Sequence, residues 1–201
     1  LNHFNMVQNS DFSVTGTDGK SKAWTVGKND ASYVKVLPLE TPKDEFHAPD
    51  CLKHDNTQKI RLAGRYDRTI TYYQQFRHYG KIGDRFTVGG WCSSFAKKND
   101  PDNYIYCRIA VLFTAGNPDN ANCYWATGGS AVFNAEEGNW QFASAGIVAP
   151  NNCTYIRVVL QMNRQMNFAD FTGIYLYPEA FGTQYVYDKN GNRKTRKMLY
   201  G

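Results

Sequence analysis

The sequence predicts an all-β protein, an antiparallel β-sandwich of the jelly-roll type. Apolar residues alternate with polar ones at period two in about ten short runs, the spacing of half-buried strands. Gly, Pro, Asn and Asp separate the runs. The 14 Tyr and 12 Phe are residue types that pleated strands favour. No stretch carries apolar residues convincingly at helical spacing, so no helix is predicted.

In chain order the predicted strands are 22–26, 32–37, 59–63, 69–77, 85–95, 104–114, 131–134, 140–145, 154–162 and 168–177. Turn residues divide them: Gly80 and Gly83, Asn99-Asp100-Pro101-Asp102, Asn117-Pro118-Asp119-Asn120, and Pro150-Asn151-Asn152. Residues 40–55, rich in charge and proline, read as a long surface loop. Further on, Tyr185 and Tyr187 alternate into Asn190-Gly191, the pair that suits a type I′ hairpin turn. A lone hairpin is marginal in water. The expected organisation is therefore a sandwich over 1–180, then a linker and the start of a different architecture over 181–201, cut from a longer protein.

The alternation also sorts residues onto faces. In 104–114, Ile105, Cys107, Ile109, Val111 and Phe113 share one face, and Tyr104, Tyr106 and Arg108 the other. In 155–162, Ile156, Val158, Leu160 and Met162 oppose Tyr155, Arg157, Val159 and Gln161. One sheet thus carries an outer face of Tyr, Arg and Gln where Lys, Glu and Thr would be ordinary.

The formal net charge is +5. Lys189, Arg193, Lys194, Arg196 and Lys197 account for all of it, so the body is neutral, which argues against a nucleic-acid footprint spread over a folded face. No run approaches the roughly 18 apolar residues of a membrane span, so no membrane insertion is expected. The five cysteines, Cys51, Cys92, Cys107, Cys123 and Cys153, lack C-x-x-C spacing, so a structural zinc site is not expected and at least one thiol stays unpaired within the chain. Cys107 and Cys153 sit in strand-like runs and read as small core residues.

Tyr and Trp offer flat surfaces to a sugar ring, and Arg and Gln place directional donors beside them. The candidate ligand-binding platform is Tyr104, Tyr106, Arg108, Arg157 and Gln161, with Trp125 on a loop over 123–129. The same Tyr–Arg pairs also serve as cross-strand sheet contacts. Trp24, Trp91 and Trp140 read as core anchors. Catalysis is not expected. Glu136-Glu137 are adjacent in a turn rather than a facing carboxylate pair. His47, Asp50, His54 and Asp55 read as a solvated loop rather than a metal site.

Several motifs stand in a telling order. Asn5-Met6-Val7-Gln8-Asn9-Ser10-Asp11-Phe12-Ser13 with Ala23-Trp24 resembles the opening of jelly-roll carbohydrate-binding modules. Gly83-Asp84-Arg85-Phe86-Thr87-Val88-Gly89-Gly90-Trp91 is similar to their "GD-x-Y-x-x-S-G-W" strand. Phe168-Ala169-Asp170-Phe171 through Tyr177 resembles their last strand, and Phe181-Gly182 through Asn192 resembles the entry to a YD (Rhs-type) repeat. The resemblance implies a galactose-binding-like jelly roll, non-catalytic, in an extracellular or cell-surface bacterial wall-associated protein. Its partners would be a polysaccharide or glycan and the YD repeats of the parent chain. It also implies a structural calcium ion with Asp11 and Asp170 as ligands, although Ser13 stands where the family has Glu. The alternative is a structural or adhesion domain that caps the repeats and binds no sugar.

Overall fold

Two five-stranded antiparallel sheets pack face to face. The computed structural model describes residues 5–97, 106–164, 166–187, 190 and 193–200. The strands are β1 Thr25–Val26, β2 Val34–Pro38, β3 Gln58–Ala63, β4 Thr69–Gly80, β5 Arg85–Lys97, β6 Tyr106–Thr114, β7 Ala126–Phe133, β8 Gln141–Val148, β9 Cys153–Asn163 and β10 Met166–Pro178. The first sheet runs β1-β4-β9-β6-β7 and the second β2-β3-β10-β5-β8. Strands β11 (Ala180–Tyr187) and β12 (Arg193–Tyr200) pair with each other as a separate antiparallel ribbon.

The core lies between the sheets, where the alternation puts it. Cys107, Ile109, Val111 and Phe113 of β6 and Ile156, Val158, Leu160 and Met162 of β9 are all buried. From the second sheet come Ile60, Leu62, Val88, Cys92, Phe171, Ile174 and Leu176. Each such side chain contributes ~1.5–3 kcal/mol by leaving water. Cys153 is buried as expected, and all five thiols are free. At one end Trp24 is buried and stacks on Tyr72, ring centres 5.5 Å apart, and Phe12 lies tilted 5.1 Å from Trp24.

His78 of β4 is half-buried with its ring edge-on to Phe86. Burial lowers its affinity for a proton below the ordinary value of 6.5, and nearby Asp84 only partly offsets this. The unfolded chain therefore takes up a proton that the folded one declines. Stability is full above pH 6.5 and falls as the pH drops from 6.5 toward the lower value held in the fold. Denaturant titrations across that window should show the decline in the wild type and a flatter profile in His78→Gln.

Three expectations need correction. Residues 40–55 are not all loop: α1 spans Asp50–Asp55 and buries Leu52 against a small cluster with Leu39 and Ala48, on which Trp91 and Trp140 pack. Six residues are too few for a helical period to show in the sequence. The loop expected over 123–129 ends early, because β7 begins at Ala126. Gly129 there has φ 146°, beside a bulge opposite Val111 and Leu112, and a side chain at Gly128 would strike Phe113 Cε2 at 2.4 Å. Trp91 and Trp140 are only half-buried and stand outside the main core.

Candidate functional site

The outward residues of β4, β9 and β6 form one layer on the solvent side of the first sheet. Register fixes the neighbours: Gln75 lies opposite Arg157, Arg77 opposite Tyr155, and Arg108 opposite Gln161. The Arg157 guanidinium lies 4.2 Å from the Tyr73 ring centre and 4.1 Å from that of Trp125. Its Nε and Nη2 donate to Gln75 Oε1 at 3.2 and 2.7 Å. Burial makes the guanidinium easier to deprotonate than an ordinary arginine. Arg108 stacks on Tyr106 at 4.2 Å and donates from Nε to Gln161 Oε1. Beneath them Ala110 and Val159 are fully or nearly covered.

Of the predicted platform, Tyr106, Arg108, Arg157, Gln161 and Trp125 share this face; Tyr104 lies outside the described residues. Trp125 lies in the loop, as expected, and immediately precedes β7. Sequence reasoning placed Arg157 and Trp125 in the platform but left out Tyr73, the second ring under the guanidinium, and Gln75. Both were legible, since they alternate with buried Tyr72 and Gln74.

The carboxylates expected to bind calcium lie elsewhere. Asp170 is buried on the outer side of the second sheet. Arg61 grips it bidentately, Nε to Oδ1 at 2.8 Å and Nη2 to Oδ2 at 2.9 Å, and Lys59 Nζ lies 3.1 Å from Oδ2. Two cations already fill its shell, so the donor set does not suit a dication. Asp11 Oδ1 instead accepts from the Ser13 amide and hydroxyl at 3.2 and 2.8 Å, ordering a turn. Among the described residues no group of three or more His, Cys, Asp or Glu suits a metal. His47 meets Glu40, and His54 meets Asp55. The first segment is tied to β10 by hydrogen bonds: Met6 N donates to Leu176 O at 2.9 Å, Asn5 Nδ2 donates to Ile174 O at 3.1 Å, and Leu176 N donates to Asn5 Oδ1 at 3.0 Å.

A second surface was not foreseen. A groove of about 460 Å3 on the opposite sheet is lined by Trp91, Phe142, Tyr175 and Tyr177, with Asn56 and Asp55 on its wall. Tyr175 lies 6.2 Å from Phe142 and 4.9 Å from Tyr177, both stacked. A bulge between Thr172 and Tyr175, with Gly173 at φ 64°, resets the alternation so that Tyr175 and Tyr177 face out while Ile174 and Leu176 stay in the core. The sequence signal for Trp91 was its phase, since Phe86, Val88 and Cys92 of the same strand point inward.

No protein-family model matches the chain, and no curated protein matches it. Solved structures do. A cyclase from Fischerella sp. TAU, in complex with 4-(1H-indol-3-yl)butan-2-one, is 10% identical with a TM-score of 0.61, over 88% of this chain and 97% of that one. The enzymatically active domain of tailspike protein 4 of bacteriophage CBA120 is 12% identical with a TM-score of 0.56, over 88% of this chain. The match spans only 22% of the tailspike chain. A family 16 carbohydrate binding module is 19% identical with a TM-score of 0.52, over 86% of this chain and 99% of that one. At such identities the likeness establishes the jelly-roll sandwich.

Proposed function

We propose that this protein is a non-catalytic carbohydrate-binding module whose glycan lies on the solvent face of the first sheet. The observation that carries this is the layer of Tyr73, Trp125, Tyr106, Arg108, Arg157 and Gln161, in which rings and hydrogen-bond donors are already fixed to one another. Such a surface loses little side-chain entropy when a hydroxylated ligand arrives. Among the described residues the outward positions of β4, β9, β6 and β7 hold no Asp or Glu, so these strands present no acid–base pair for glycoside hydrolysis. The fold shared with a family 16 carbohydrate binding module supports the reading. The order of the motifs supports a place in a secreted or cell-surface bacterial protein, ahead of YD (Rhs-type) repeats.

A structural domain with no sugar ligand is the second reading. It draws on one observation, that Arg157 already covers one face of Trp125 and of Tyr73. A glycan array followed by calorimetry on Trp125→Ala separates the two. The binding reading expects a loss of about 2 kcal/mol, roughly 30-fold in affinity. Phe142→Ala, on the opposite sheet, should leave binding unchanged. No glycan bound, or equal affinity in Trp125→Ala, supports the structural reading.

A further inference from the structure

We propose that the glycan on this face is an acidic one, and that Arg77, Arg108 and Arg157 read its carboxylate, sulfate or phosphate groups. The inference rests on the carbohydrate reading above and names its ligand class.

Three adjacent strands each contribute one guanidinium, and among the described residues none has a carboxylate partner. Arg77 donates to the hydroxyls of Tyr79 and Tyr155 at 2.9 and 3.0 Å. Arg108 donates to Gln161 and Arg157 to Gln75, both through neutral amide oxygens. Four other arginines do otherwise: Arg61, Arg65, Arg68 and Arg85 each meet an Asp or Glu. Neutral partners hold the three guanidiniums in place without cancelling their charge.

The rings complete the arrangement. Stacking on Tyr106, Tyr73 and Trp125 orients the planar forks, so a planar oxyanion meets donors already aimed. Half-burial of Arg157 weakens its competition from water, which favours an arriving anion. In register, Arg77 is level with Tyr155, Arg157 stands two residues further along β9, and Arg108 is level with Gln161. The three charges therefore descend diagonally over ~20 Å of strand length, a span for an extended chain carrying charge at intervals.

A single-stranded nucleic acid is also an extended polyanion. The observations favour the glycan. The tail stretch 189–197 accounts for the whole +5 charge, leaving the sandwich no general positive field.

The test titrates the full chain with matched pairs: polygalacturonate against its fully methyl-esterified form, and chondroitin sulfate against its desulfated form. The first pair isolates carboxylate and the second sulfate. In one pair or both, the more acidic member should bind at least tenfold tighter, with a log–log salt slope of about −2 for three contacts. Arg108→Gln and Arg157→Gln should each weaken binding and flatten the slope, while Arg108→Lys keeps the slope and controls for folding. Circular-dichroism melts confirm that each variant is folded. Equal affinity for both members of both pairs, independent of salt, overturns the inference and leaves the carbohydrate reading standing. Binding to none of these and to no neutral glycan on an array overturns both. Tighter binding to an oligo-dT than to any glycan overturns the inference in favour of nucleic acid.

Discussion

Asp170→Ala is expected to cost about 3–5 kcal/mol of folding stability in a denaturant titration. Its carboxylate is the anion that holds one buried cation, Lys59, and one half-buried cation, Arg61. The Lys59 side chain is 3% exposed and lies between Asp170, at 3.1 Å, and Asp44, at 3.3 Å. Arg61 stacks over Phe168 at 3.8 Å while gripping Asp170. Removing Asp170 leaves both cations with Asp44 alone, and a buried uncompensated charge is the expensive case. Replacing Lys59, Arg61 and Asp170 together by apolar residues of similar size should recover most of the loss. Burial pushes the Asp44 carboxyl up, but the Thr41 amide and Lys59 outweigh it, so its proton affinity ends below the ordinary 3.8. The stability it contributes is present above pH 3.8 and lost as the pH falls through the lower folded value.

Phe171→Ala should cost a similar amount, about 3–5 kcal/mol, by opening a cavity. Phe171 is fully buried in β10 and meets Phe133 edge-on, 6.1 Å between ring centres. Because β10 belongs to the second sheet and Phe133 to β7 of the first, this contact crosses the sandwich. The lost aromatic pair adds ~0.5–1.5 kcal/mol to the transfer cost. Phe171→Leu, which keeps most of the volume, should lose less than half as much. The contrast with Trp125→Ala is informative. Trp125 is only half-buried and outside the core, so its loss should be read in binding and not in the melting curve.

The sandwich was legible because strand alternation is a strong signal when one face is buried. The inner rows of β6 and β9 were assigned residue for residue from period two alone, and each assigned member within the described residues is buried. The outer face followed from the same phase, which is why Arg108, Arg157 and Gln161 come together. Features that break the period were hidden. Gly173 lies inside a run that reads as one unbroken strand, 168–177, and the Gly128-Gly129 pair looks like a turn, yet the first marks a bulge that re-aims Tyr175 and the second lets β7 pass Phe113. Helix α1 is shorter than two turns and leaves no periodic trace. The fate of Asp170 was illegible for a different reason. Lys59 and Arg61 are far from it in sequence, and only the pairing of β3 with β10 brings them beside it.

Recording which indole responds when a glycan binds tests the central claim most directly. The four tryptophans occupy distinct places: Trp24 in the buried end cluster, Trp91 and Trp140 against α1, and Trp125 on the arginine-bearing face. In a nitrogen-15 titration with an acidic oligosaccharide, the Trp125 indole and the side-chain signals of Arg157 and Arg108 should shift together and saturate together. Shifts confined to Trp91, with Trp125 unmoved, would contradict the account and move the ligand to the opposite sheet.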